Sequence, residues 1–139
     1  VISHKVEGVY QLLRASLGVM ALAAGLDKFA NMLARWDGYL APPIAERLGG
    51  TGWFMAVVGI VEVLVGVAIL TGATRTFGYL LCGWLVAIAC NLVIGGYYDI
   101  AVRDLMIAAA AFSLAQLARA RAEPMATVQI VPERELQRV

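Results

Sequence analysis

Residues 53–71, WFMAVVGIVEVLVGVAILT, decide the fold. Apolar side chains follow one another here without the alternation of a half-exposed strand, and at 1.5 Å per residue a helix of this length crosses a hydrocarbon core of about 30 Å. A lipid-exposed segment must satisfy its own backbone hydrogen bonds, which a helix does and an isolated strand does not. One ionisable residue interrupts the run, Glu62.

Working outward, residues 77–95 carry no charge and a single strong polar group, Asn91. Residues 100–118 hold Arg103 and Asp104 near their start and then run through Leu105, Met106, Ile107 and four alanines. Upstream, residues 9–33 form the most polar candidate, with Gln11, Arg14, Ser16, Asp27, Lys28 and Asn31 flanking an uninterrupted middle at 17–26. The expectation is an all-α fold: an integral membrane, antiparallel four-helix bundle over residues 1–122, with spans at about 9–33, 53–71, 77–95 and 100–118. Residues 123–139 read as a cytoplasmic tail, in which Pro124 and Pro132 bracket a short β-prone stretch: either a flexible extension or a strand or arm that docks on a partner.

Composition agrees. Of 139 residues, 61% are hydrophobic and 15% charged, and the mean hydropathy is +0.78. A small soluble domain leaves too much of its surface in water to hide this much apolar area, so a lipid bilayer is the first expected partner. A net charge of +1 without a basic patch gives no reason to expect nucleic acid. The chain opens at Val1 rather than an initiator Met, which leaves room for an upstream residue, and no signal-peptide pattern is visible.

The connections set the topology. Residues 72–76 and 96–99 are short enough to force antiparallel neighbours. The long connection, 34–52, contains Trp36, Tyr39 and Trp53 as interface aromatics. Pro42 and Pro43 are expected to break any helix, and residues 44–48 to form a short amphipathic turn, all on the membrane surface. Alternation then places Lys5, Arg14, Arg75, Arg119, Arg121, Arg134 and Arg138 on one side, against Lys28, Arg35, Arg47 and Arg103 on the other. By the positive-inside rule both termini are cytoplasmic.

Glu62 lies near mid-span, where a carboxylate must pair, protonate or meet water. Gly59 and Gly66 share its face and allow close approach of a neighbouring helix. Measured from the outer boundary, Glu62 sits about 13 Å deep, and Asp27 and Lys28 on the antiparallel first span sit about 8 Å deep, within reach of a lysine stem. Asn91 falls at about 6 Å, and Arg103 and Asp104 open the fourth span at the same boundary. Asp27, Lys28, Asn31, Glu62, Asn91, Arg103 and Asp104 therefore form one expected polar cluster. It reads either as a network that locks the helices together or as a pocket for a quinone headgroup, a small substrate or a proton path.

Other features have bland readings. Arg14 snorkels to headgroups, the stripe Gly83, Ala87, Asn91 and Gly95 packs against a neighbour, and Cys82 and Cys90 are small buried hydrophobes, too far apart at about 12 Å along a helix to bridge. His4 is the one histidine, so neither a histidine triad nor bis-histidine haem ligation can be built within the chain, and no metal site is expected.

The segments LLRASLGVMALAAGLDKFANML, VVGIVEVLVGVAILTGATR and YYDIAVRDLMIAAAAFSLA, with the connection residues Trp36, Tyr39, Leu40 and Pro42, resemble the DoxX-like family of small four-helix bacterial membrane proteins over residues 12–118. The resemblance implies a place in the bacterial inner membrane and an association with quinone-linked thiol or sulfur oxidation or with redox-protective complexes. In it Lys28, Glu62, Arg103 and Asp104 match recurring polar positions. The chain itself offers no cysteine pair and no cofactor ligand. The leading expectation is an accessory or anchoring subunit of a redox or respiratory complex, binding no cofactor alone and partnered by other subunits. The alternative is a quinone or small-molecule binding oxidoreductase subunit with its pocket at Glu62. A solute or proton carrier is the weaker third, since four helices without an inverted repeat are few for alternating access.

Overall fold

A computed structural model describes residues 4–123. The long helices are α1 (His4–Ala30), α3 (Gly52–Thr71), α4 (Thr74–Ile94) and α5 (Tyr98–Ala122), with a 3-10 turn Trp36–Tyr39 and the short helix α2 (Pro42–Leu48) between α1 and α3. All four long helices have the length and hydropathy to cross a bilayer. The chain is thus an all-α, multi-pass membrane protein. The expected tail beyond Glu123 lies outside the described residues.

Helix ends depart from the apolar spans in instructive ways. α1 starts earlier than residue 9, α4 earlier than 77, and α5 runs on to Ala122, because apolar windows mark the hydrocarbon crossing whereas a helix continues through the polar interface until a breaker intervenes. α1 stops at Ala30 rather than 33, since Asn31 adopts φ 50°, a left-handed conformation that asparagine tolerates. α3 ends at Gly72, whose φ of 111° lets Ala73 N–H donate to Ala68 O at 2.9 Å and reverses the chain within two residues.

Pro42 and Pro43 start a helix instead of breaking one. They occupy the first turn of α2, where a missing N–H costs nothing. Nor does the whole connection rest on the surface: Leu40 and Ala41 are buried, and Tyr39 meets Tyr97 edge to face at 5.2 Å. The connection is a strap folded over one end of the bundle.

Packing is pairwise. α1 lies against α3 and α4 against α5 far more extensively than either pair meets the other. In the first pair the backbones nearly touch. A Cβ on Gly25 would stand 2.7 Å from Gly59 O and from Val63 N, and one on Gly66 would stand 2.8 Å from Gly18 O. Gly18 opposite Gly66 and Gly25 opposite Gly59 fix an antiparallel register. In the second pair Gly78 faces Ala111 and Ala115, again small against small. Tyr10, Leu17, Ile69, Leu81, Leu85 and Leu114 fill the centre where the pairs meet.

The stripe Gly83, Ala87, Asn91 and Gly95 does not make this contact. Gly83 and Ala87 are exposed, and the buried side of α4 is Thr74, Gly78, Leu81, Leu85, Ala89 and Leu92. Cys90 is likewise exposed and Cys82 half-buried, so neither is the core residue expected. In a helix apolar all round, hydrophobicity does not mark the side that faces protein.

Candidate functional site

The glycine seam places the charges. Gly59 has Lys28 Cβ within 3.2 Å of where its own Cβ would be, so the lysine stem lies flat against α3 and its ammonium arrives one turn along, at Glu62. Lys28 Nζ donates to Glu62 Oε2 at 2.6 Å, with side chains 5% and 8% exposed. Two tryptophans complete the arrangement. Trp84 Nε1 donates to Glu62 Oε1 at 3.3 Å, and Lys28 Nζ sits 3.9 Å from the Trp36 ring centroid, a cation–π contact.

Trp36 is half-buried at the strap end of the bundle. Its indole N–H donates to Asp27 Oδ2 at 2.8 Å. Asp27 in turn accepts from the backbone N–H groups of Met32, Leu33 and Ala34 at 2.9–3.2 Å. These groups would otherwise be orphaned by the end of α1, and a carboxylate is the strongest acceptor available to collect them.

Asn91 also turns to the strap. Its Oδ1 accepts from Ala41 N–H at 2.9 Å and its Nδ2 donates to Tyr39 O at 2.8 Å. Tyr97 Oη donates to Gly38 O at 3.1 Å, a third fastening. Of the expected cluster, the structure thus brings Lys28 and Glu62 together. Asp104, half-buried, lies within electrostatic reach of both. Asp27 and Asn91 are one step removed, as anchors of the strap. Arg103 and Asn31 are exposed: Arg103 lies within electrostatic reach of Asp104, and Asn31 serves as the left-handed stop of α1. Trp84 was missed from sequence, although an indole N–H in an apolar run needs an acceptor and so carried a signal.

Among the described residues, no buried side-chain nitrogen or oxygen lacks a hydrogen-bond partner. The Lys28–Glu62 pair is buried and each member has a partner. Beside it, on the strap side, lies a cleft of about 290 Å³ bordered by Lys28, Asn31, Arg35, Trp36, Thr51 and Met55.

A second polar group occupies the opposite end. Arg14 does not simply reach for headgroups: its guanidinium donates to Ile69 O at 3.2 Å and to Leu70 O, satisfying the last carbonyls of α3 at the negative end of that helix. Nearby, the buried Tyr10 shares a 2.7 Å hydrogen bond with Thr74, and Arg121 stacks on the Tyr10 ring at 4.0 Å while holding Glu7 with two donors at 2.8 and 3.0 Å.

Comparison of the chain with protein-family models, with characterised proteins and with solved structures finds no match.

Proposed function

We propose that this chain is an accessory, DoxX-like membrane subunit that anchors a larger redox or respiratory assembly in a bacterial inner membrane, with both termini cytoplasmic and no cofactor of its own. The observation that carries the reading is the buried ion pair at the strap end of the bundle. Lys28 pairs with Glu62, Glu62 also accepts from Trp84, and the Trp36 indole donates to Asp27, contacts that tie α1, α3, α4 and the strap together and favour a helix-holding role for these charges. Apolar side chains such as Leu12, Phe29, Leu64, Val102 and Met106 face outward, as needed for lipid or for other membrane subunits. Extraction at native abundance in a mild detergent, followed by identification of co-purifying chains, tests it. Recovery of a lone monomer is the outcome against it.

A second reading places a quinone or small-molecule site at the strap. It is favoured by the cleft beside Lys28, where Asn31, Arg35 and Thr51 supply donors that a quinone carbonyl requires. Ubiquinone-analogue binding that disappears in Glu62→Gln while the bundle stays folded would support this reading over the first.

A further inference from the structure

The end of the molecule away from the strap carries a larger concavity that neither reading uses. It is an open cleft of about 670 Å³ among the first turns of α1, the α3–α4 turn and the last turn of α5, bordered by His4, Glu7, Tyr10, Thr74, Arg75 and Arg121. Its floor is fixed. Tyr10 is 2% exposed and tied to Thr74, and its ring carries the Arg121 guanidinium, which Glu7 clamps from the side. Arg121 is thereby held in one place before any ligand arrives, which lowers the ordering cost of binding.

Charge in the cleft is unbalanced. Glu7 neutralises Arg121, but Arg75 makes no hydrogen bond or ion pair among the described residues and is exposed on the cleft wall. Arg14, the other arginine at this end, is consumed by the carbonyls of α3. One guanidinium fully available and one preset, with a histidine beside them, suit a phosphate oxygen, which a planar guanidinium grips with two donors.

The position selects the source of that phosphate. α3 and α4 are joined by two residues here, so Arg75 sits immediately outside two apolar spans, at headgroup depth. Exposed Val9 and Leu12 of α1 and Leu80 of α4 continue into the apolar zone below. We infer that this cleft binds the headgroup phosphate of an anionic phospholipid, with Arg75 as the principal contact and Arg121, braced by Glu7 and Tyr10, as the second.

The test uses the full chain in detergent, titrated with phosphatidylglycerol, phosphatidylcholine or inorganic phosphate, with thermal stabilisation and lipid retention in native mass spectrometry as readouts. The expected result is saturable stabilisation and retention of phosphatidylglycerol over phosphatidylcholine, weakened about fivefold in Arg75→Gln, with unchanged melting of that variant in the absence of lipid. Because Arg121→Gln also frees Glu7, it is compared with Glu7→Gln/Arg121→Gln; both should bind more weakly than the parent. Equal retention of the two lipids, or an Arg75→Gln variant that binds like the parent, overturns the proposal. So does stabilisation by inorganic phosphate alone equal to that by phosphatidylglycerol, which would assign the cleft to a soluble anion.

Discussion

Lys28 and Glu62 meet at 2.6 Å because Gly59, one turn before the glutamate, has no side chain to hold α1 away. The seam and the ion pair are one feature: close backbones bring the lysine stem onto α3, and the buried charges fix the register in which those backbones close. A charge stranded in hydrocarbon is costly, so any slip of α1 along α3 that separates the two is opposed from both sides.

Glu62→Gln should therefore cost about 3 kcal/mol of stability, since it leaves the Lys28 ammonium buried without its counter-charge. The double variant Lys28→Met/Glu62→Leu should recover most of that loss. Unfolding of the purified variants in mixed micelles checks both, and equal stability of parent and single variant would show that the pair contributes nothing to holding the helices.

Gly25→Ala should destabilise by about 1–3 kcal/mol, because its methyl group would stand 2.7 Å from backbone atoms of Gly59 and Val63, which cannot swing aside. Gly83→Ala is the internal control. Nothing lies within 4 Å of that added carbon, and alanine favours a helix by up to about 1 kcal/mol, so it should be neutral or stabilising in the same unfolding assay.

Removing the Asp27 carboxylate orphans three backbone donors and one indole. Asp27→Ala should cost at least about 2 kcal/mol and speed hydrogen exchange at residues 32–36, while Asn91→Ala should speed it at Ala41. Exchange at the centre of α3 should stay at the parent's rate in both. A uniform increase along the chain would mean that these residues support the whole bundle and not the strap.

Arg14→Gln removes the cap on the α3 carbonyls and should lower stability by about 1–2 kcal/mol. Arg14→Lys should recover a part of this, as one ammonium cannot reach two carbonyls with the geometry of a guanidinium. A side chain that only reached into headgroups would give no loss in detergent.

Much of this architecture could be read in the sequence because the membrane enforces it. Residues 53–71 and 77–95 are apolar on every side, and depth along antiparallel helices, with Gly59 and Gly66 beside Glu62, was enough to name Lys28 as its partner. The same reasoning does not give the partners of Asp27 and Asn91, because it considers side chains within spans and ignores the backbone between them. The strap has N–H and C=O groups that also require partners, and Asp27 and Asn91 were the nearest polar groups able to supply them. The contacts of Trp36 with Asp27 and Lys28 were illegible for the same reason, since they arise from the loop folding back over the helix ends. The small-residue stripe on α4 was illegible in principle: with apolar residues all round, lipid-facing and protein-facing sides look alike, and only the partner helix decides between Gly78 and Gly83.

The pairwise packing divides the molecule at Gly72 and Ala73. α1 with α3, and α4 with α5, are each contiguous stretches of chain that complete their closest contacts internally. Each half can therefore enter the bilayer as a hairpin with its closest helix contact made, leaving the strap fastenings of Asn91 and Tyr97 to form when the halves meet. The covalent link between them supplies proximity rather than cohesion, and two fragments severed at that turn, made separately in one membrane, should find each other and rebuild the whole.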